Sequence, residues 1–175
     1  GLACLTLAIV LLAVLRQTSA AQPAGTEGGA AGQSAALPTA AAPHEGPPYT
    51  IAIDAGHGGT DIGAEGVINE IQLTEATIGY LEGWLTQDEN YTPVRTHAAD
   101  TFSKNTERAA AANSAGASLL LSVHGNSDPY SSDSYGLECY PQPPGRTHHE
   151  DSLRLAHLIA DKFGAAGQRL RGNAG

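Results

Sequence analysis

From Tyr49 onward, apolar positions recur with two alternating periods, one suited to strands and one to helices. Tyr49 to Asp54 (YTIAID) is short, apolar and partly β-branched, and predicts a strand. Between Glu70 and Thr86, the residues Leu73, Thr77, Leu81, Trp84 and Leu85 fall at helical spacing, which predicts an amphipathic helix with those side chains inward. Tyr91 to Thr96 follows the polar turn Gln87 to Asn90 and reads as a strand. Thr106 to Ala115 is alanine-rich, stops before Gly116 and reads as a second helix. Ser118 to Val123 (SLLLSV) is the kind of run expected of a strand covered on both faces. Tyr135 to Tyr140 is a further strand before the turn PQPPG. A third helix, His149 to Phe163, should turn Leu153, Ala156, Leu158, Ile159 and Phe163 inward and end at Gly164.

Strands alternating with helices imply an α/β fold, a mostly parallel sheet flanked by helices in a single domain. In such sheets ligands gather beyond the carboxyl ends of the strands. His57 follows the first of these strands and His124 the apolar run, so both are expected on one edge of the sheet.

The chain ahead of that domain has a different composition. Residues 1–21 begin with an apolar run, Leu2 to Leu15, followed by Arg16 and small residues, as at the end of an export signal. The run is shorter than the roughly 17–25 residues of a membrane span. A cleaved signal peptide and an N-terminal membrane anchor are both compatible with it, and either places the remainder outside the cytoplasm, in the cell envelope. Residues 22–47, rich in Ala, Gly, Pro, Thr and Gln, are expected to form a flexible linker spanning roughly 30 Å as a random coil. The domain then occupies residues 48–175. A formal net charge of −9 provides no basic stripe for phosphates and argues against nucleic acid as a partner. Of the two cysteines, Cys4 lies in the leader and Cys139 far away, so no disulfide framework is expected and Cys139 reads as an apolar filler.

The stretch IAIDAGHGGTDIGAEG, residues 51–66, carries the first candidate chemistry. It lacks the Lys-Ser/Thr of a phosphate-binding loop and the spacing of a dinucleotide fingerprint. Two imidazoles and a carboxylate with an open fourth position form a common catalytic zinc set. Candidates for the carboxylate are Glu65 in the loop, Glu70 opening the helix and able to reach back over the His57 loop, and Glu75 a turn further on. Asp54 could orient His57 through its other ring nitrogen or cap loop amides. The glycines around His57 suggest space for a bulky substrate. His148 and His149 follow a Pro/Gly turn and read as the start of a solvated helix, and Arg108 and Asn113 read as structural positions on the second helix. The loop Tyr130, Ser131, Ser132 and Asp133 could touch a substrate near His124.

Four ordered stretches, IAIDAGHGGTDIGAEG, NEIQLTE, VRTHAADTFSKNTERAAAANSAG and LLLSVHGN, resemble the zinc-dependent N-acetylmuramoyl-L-alanine amidases of the amidase-3 family. The resemblance implies Zn2+ as cofactor, held by His57, Glu70 and His124, and peptidoglycan as partner. The implied reaction cleaves the amide joining N-acetylmuramic acid to the L-alanine of the stem peptide. It also implies a catalytic glutamate on a late strand, expected beyond Gly175, so that the catalytic domain read here lacks its C-terminal part. Within the chain, Glu138 is the late acid that could substitute as general base.

Overall fold

The structure is a computed structural model and describes residues 8–12, 46–128, 130 and 134–173. The linker 22–47 therefore lies almost wholly outside the described residues, as do Cys4 and most of the leader. The elements are β1 (Ala8–Leu12), β2 (Tyr49–Ala55), α1 (Glu70–Thr86), β3 (Tyr91–Arg95), α2 (Asn105–Ser114), β4 (Leu119–His124), β5 (Leu137–Tyr140), α3 (His149–Ala165) and β6 (Leu170–Asn173). Among the described residues, no helix is long and apolar enough to cross a membrane.

The six strands form one sheet in the order β3-β2-β4-β1-β5-β6. Every pairing is parallel except β1 with β4, as the alternation of strands and helices predicts. That single antiparallel ladder means that β3, β2 and β4 run one way while β1, β5 and β6 run the other. The β1 strand comes from the apolar run that the sequence reading kept outside the domain. Its sequence, AIVLL, suits a slot in which both ladder edges find partners, Leu12 opposite Leu120 on β4 and Ala8 opposite Glu138 on β5.

Buried residues sort by parity along each strand, as the strand period of two requires. Ile51, Ile53 and Ala55 of β2 and Val123 of β4 pack under Ile78, Leu81 and Leu85 of α1. Leu137 and Cys139 of β5 pack under Ala156, Leu155, Ile159 and Phe163 of α3, with Leu121 of β4 between the two clusters. Helices α1 and α3 thus share one face. On the other, Ala52 and Leu120 meet Ala112 of α2 and Ala117, small side chains that let that helix lie close. Pro93, which has no N–H to give a ladder, sits in the edge strand β3.

Both amphipathic helices turn inward largely as expected, Leu81 and Leu85 of α1 and Ala156, Ile159 and Phe163 of α3 packing on the sheet, with one large side chain of each facing outward instead. In α1 the buried line is Glu70, Thr74 and Ile78, and Trp84 is 70% exposed. In α3 it is Ser152, Ala156 and Ala160, and Leu158 points out. Apart from Ile78, small or polar residues occupy these most buried positions, where a bulkier side chain would hold the helix away. Cys139, 1% exposed, is the expected filler, and burial pushes its thiol pKa up.

Candidate metal centre

The chain leaves β2 through Gly56 into a loop in which His57 takes φ 71°, the left-handed region that side chains rarely enter. Arg108 of α2 holds it there. Its guanidinium, 4% exposed, donates from Nη2 to the His57 carbonyl at 2.7 Å, from Nη1 to the Ala55 carbonyl at 2.7 Å and from Nε to the Ser103 carbonyl at 2.9 Å. Asp54 lies beneath it, within 3.3 Å of Arg108 Nη1, and accepts from the hydroxyls of Thr96 and Ser122. A buried charge of each sign is thereby paired and hydrogen-bonded, the condition for tolerating either. Asp54 neither touches the His57 ring nor caps loop amides, contrary to both readings of the sequence. Asp61 makes the ring contact instead: its Oδ2 lies 3.0 Å from His57 Nδ1, and its Oδ1 accepts from the Gly63 N–H at 3.1 Å. The hydrogen bond from His57 lowers the Asp61 pKa against the opposing effect of burial.

With Nδ1 on Asp61, His57 presents Nε2 to Glu70, whose Oε1 lies 3.0 Å away and 3.1 Å from His124 Nδ1. The donor atoms of His57, Glu70 and His124 all lie within 4.8 Å of one another. The two rings meet edge to face with centroids 5.0 Å apart. Glu70 is the first residue of α1 and is 3% exposed. Burial alone would raise its pKa. Hydrogen bonds from His124 and from the Ala64 and Gly125 N–H groups, with the nearby His57, instead hold it down at about 2. An ionised, buried carboxylate between two imidazoles has the donor chemistry of a zinc or similar divalent site, so these residues fit the metal that the sequence implies.

Two glycines make this convergence possible. A Cβ on Gly56 would come within 2.5 Å of the His124 ring, and one on Gly63 (φ 67°) within 2.5 Å of His57 Cδ2 and 2.7 Å of Glu70 Cβ. These two glycines therefore make room for the side chains of the cluster.

Of the other carboxylates considered, Glu65 is exposed, and Glu75 is turned to Arg95 at 2.7 Å. Glu138 lines the cavity that holds the triad, a space of about 590 Å³ that Asn126, Tyr140 and Arg171 also border. His149 opens α3 and its Nδ1 lies 2.6 Å from the Gln142 carbonyl, in keeping with a helix-start role. Tyr130 is 96% exposed, and Ser131 to Asp133 lie outside the described residues. The sequence reading missed Asp61 and Arg171 and understated Arg108. The available signals were an acid four residues after His57 and an arginine one turn before a buried alanine of α2.

Comparison with known proteins agrees with this geometry. The family model Amidase_3, described as N-acetylmuramoyl-L-alanine amidase, matches residues 51–174. The chain is 37% identical over 125 residues to the uncharacterized protein YqiI of Bacillus subtilis (strain 168), a match covering 71% of this chain and 57% of that protein. It thus spans less than two thirds of that relative's length. Among solved structures it resembles the catalytic domain of CwlV, an N-acetylmuramoyl-L-alanine amidase from Bacillus (Paenibacillus) polymyxa var. colistinus. The TM-score is 0.63 at 32% identity, over 71% of this chain and 68% of that one. With the family match extending from β2 to the end of β6 and enclosing the whole His57–Glu70–His124 cluster, the chain belongs to the Amidase_3 family.

Proposed function

We propose that this chain is the zinc-binding part of a peptidoglycan hydrolase acting outside the cytoplasmic membrane, on the amide between N-acetylmuramic acid and the L-alanine of the stem peptide. The observation that carries this reading is the convergence of His57, Glu70 and His124 at a cavity of about 590 Å³ in a member of this family. These three residues are the zinc ligands. When bound, zinc supplies Lewis acidity, bringing the pKa of a water toward about 7 and polarising the scissile carbonyl. Asp61 keeps the His57 proton on Nδ1 and so leaves the Nε2 lone pair facing the cluster. Glu70 supplies the negative charge, held ionised by the Ala64 and Gly125 amides. A separate carboxylate must take the proton from water and pass it to the leaving amine, a role worth roughly 10²–10⁴-fold. Glu138 is committed elsewhere, one oxygen accepting from Tyr140 at 2.8 Å and the other facing Arg171 at 3.4 Å. We assign the acid–base step to the catalytic glutamate that the family resemblance implies rather than to Glu138.

Product analysis tests this reading. Full-length, zinc-loaded protein incubated with purified peptidoglycan is expected to release stem peptides bearing a new free N-terminal L-alanine. Chelation should stop the release and added zinc restore it. Released acetate would mark a deacetylase, a released C-terminal amino acid a carboxypeptidase, and none of these a non-catalytic wall-binding domain.

A further inference from the structure

The cavity wall opposite in sequence to the metal ligands is built from the starts of β5 and β6. Glu138 and Tyr140 stand two apart on β5 and so share a face, while Leu137 and Cys139 face α3. Tyr140 donates its hydroxyl to Glu138 Oε2 at 2.8 Å, and Arg171 of β6 brings Nε to 3.4 Å from Glu138 Oε1. Gly136 shapes the approach of the arginine, since a Cβ there would come within 3.0 Å of Arg171 Cγ. The Nε edge of the guanidinium is thus turned to Glu138, and among the described residues its two terminal nitrogens have no protein acceptor. Asp128, also on the cavity wall, accepts from the Tyr130 N–H at 2.9 Å and from the Ser134 hydroxyl at 2.5 Å.

A guanidinium on the wall of this cavity, with Nε turned to Glu138, leaves a planar pair of N–H donors that matches a carboxylate in bidentate geometry. We infer that Arg171, oriented by Glu138 and Tyr140, is a specificity residue that binds a free carboxylate of the stem peptide while the scissile amide lies at the metal centre. This rests on the peptidoglycan reading above. The arrangement makes amidation of the stem peptide a determinant of cleavage: an amide in place of the carboxylate loses the charge and presents an N–H2 toward the donors of Arg171.

The test uses full-length, zinc-loaded protein and two muropeptides, one with its stem carboxylates free and one with the same groups amidated. Wild type should prefer the free acid by about tenfold in kcat/KM, the scale of one charge-assisted hydrogen-bonded contact. Arg171→Gln should abolish that preference, chiefly through a higher KM for the free acid, and Arg171→Lys should restore part of it. Calorimetric binding of the same two muropeptides reads the subsite without catalysis, so a protein that cleaves neither would contradict the amidase reading alone. A preference that persists unchanged in Arg171→Gln, in binding or in turnover, overturns the assignment. A wild type that does not distinguish the two muropeptides in either measurement overturns it as well. Free muropeptides with the terminal carboxylate alone amidated separate the chain end from the branch carboxylates as the bound group.

Discussion

At the scale of single residues, the His57–Glu70–His124 cluster depends on side chains outside it. Arg108 fixes the backbone of His57 through its carbonyl, and Asp61 fixes the ring through Nδ1. The first sets where the imidazole starts, the second which nitrogen it offers. Asp61→Asn keeps the shape but removes the charge that holds the proton on Nδ1. Zinc affinity, measured by competition with a chelating dye, should fall by about 10–100-fold while the thermal midpoint without metal stays nearly unchanged. Unaltered affinity would show that the contact is incidental. The convergence of His57, His124 and Glu70 was legible from the sequence because strand ends and a helix start place residues without knowledge of the loop between them, and because the motif resemblance selected Glu70 among the acids. Asp61 and Arg108 were not, since their roles depend on a left-handed turn at His57 that no periodicity reports.

At the scale of elements, apolar spacing located seven of the segments and the packed face of both helices, but misplaced Trp84 and Leu158. Leucines and a tryptophan weigh heavily in such a pattern, yet the most buried line is Glu70, Thr74 and Ile78, with Leu81 and Leu85 packed beside it and Trp84 outside. The difference is measurable. Ile78→Ala, at a fully buried position, should destabilise the protein by about 2–5 kcal/mol. Trp84→Ala, on the outer face, should change stability by no more than about 0.5 kcal/mol. Denaturant midpoints for the two variants decide it, and comparable losses would return Trp84 to the core. Strands β1 and β6 were missed for opposite reasons. The apolar run containing AIVLL reads as an export leader whether or not it pairs with a sheet, and LRGN is too polar and glycine-bearing to announce a strand.

At the scale of the whole molecule, the cavity lies where two halves of the sheet meet with opposite direction. Carboxyl ends of β2 and β4 bring the His57 loop and His124, as the general behaviour of parallel sheets predicts. The amino ends of β5 and β6 bring Glu138 and Arg171, because the antiparallel β1–β4 ladder reverses the second half. One wall thus carries metal donors and the other an oriented cation. An acidic chain of net charge −9 is consistent with an uncharged amide as the reacting group and with local rather than overall attraction for any carboxylate on the substrate. All of this depends on the three donors acting together on one ion. The direct measurement is zinc bound per chain in full-length protein, wild type against His124→Ala, after dialysis and with folding checked by circular dichroism. The geometry predicts about one zinc in the wild type and almost none in the folded variant. A folded His124→Ala protein that keeps its full zinc would contradict the site.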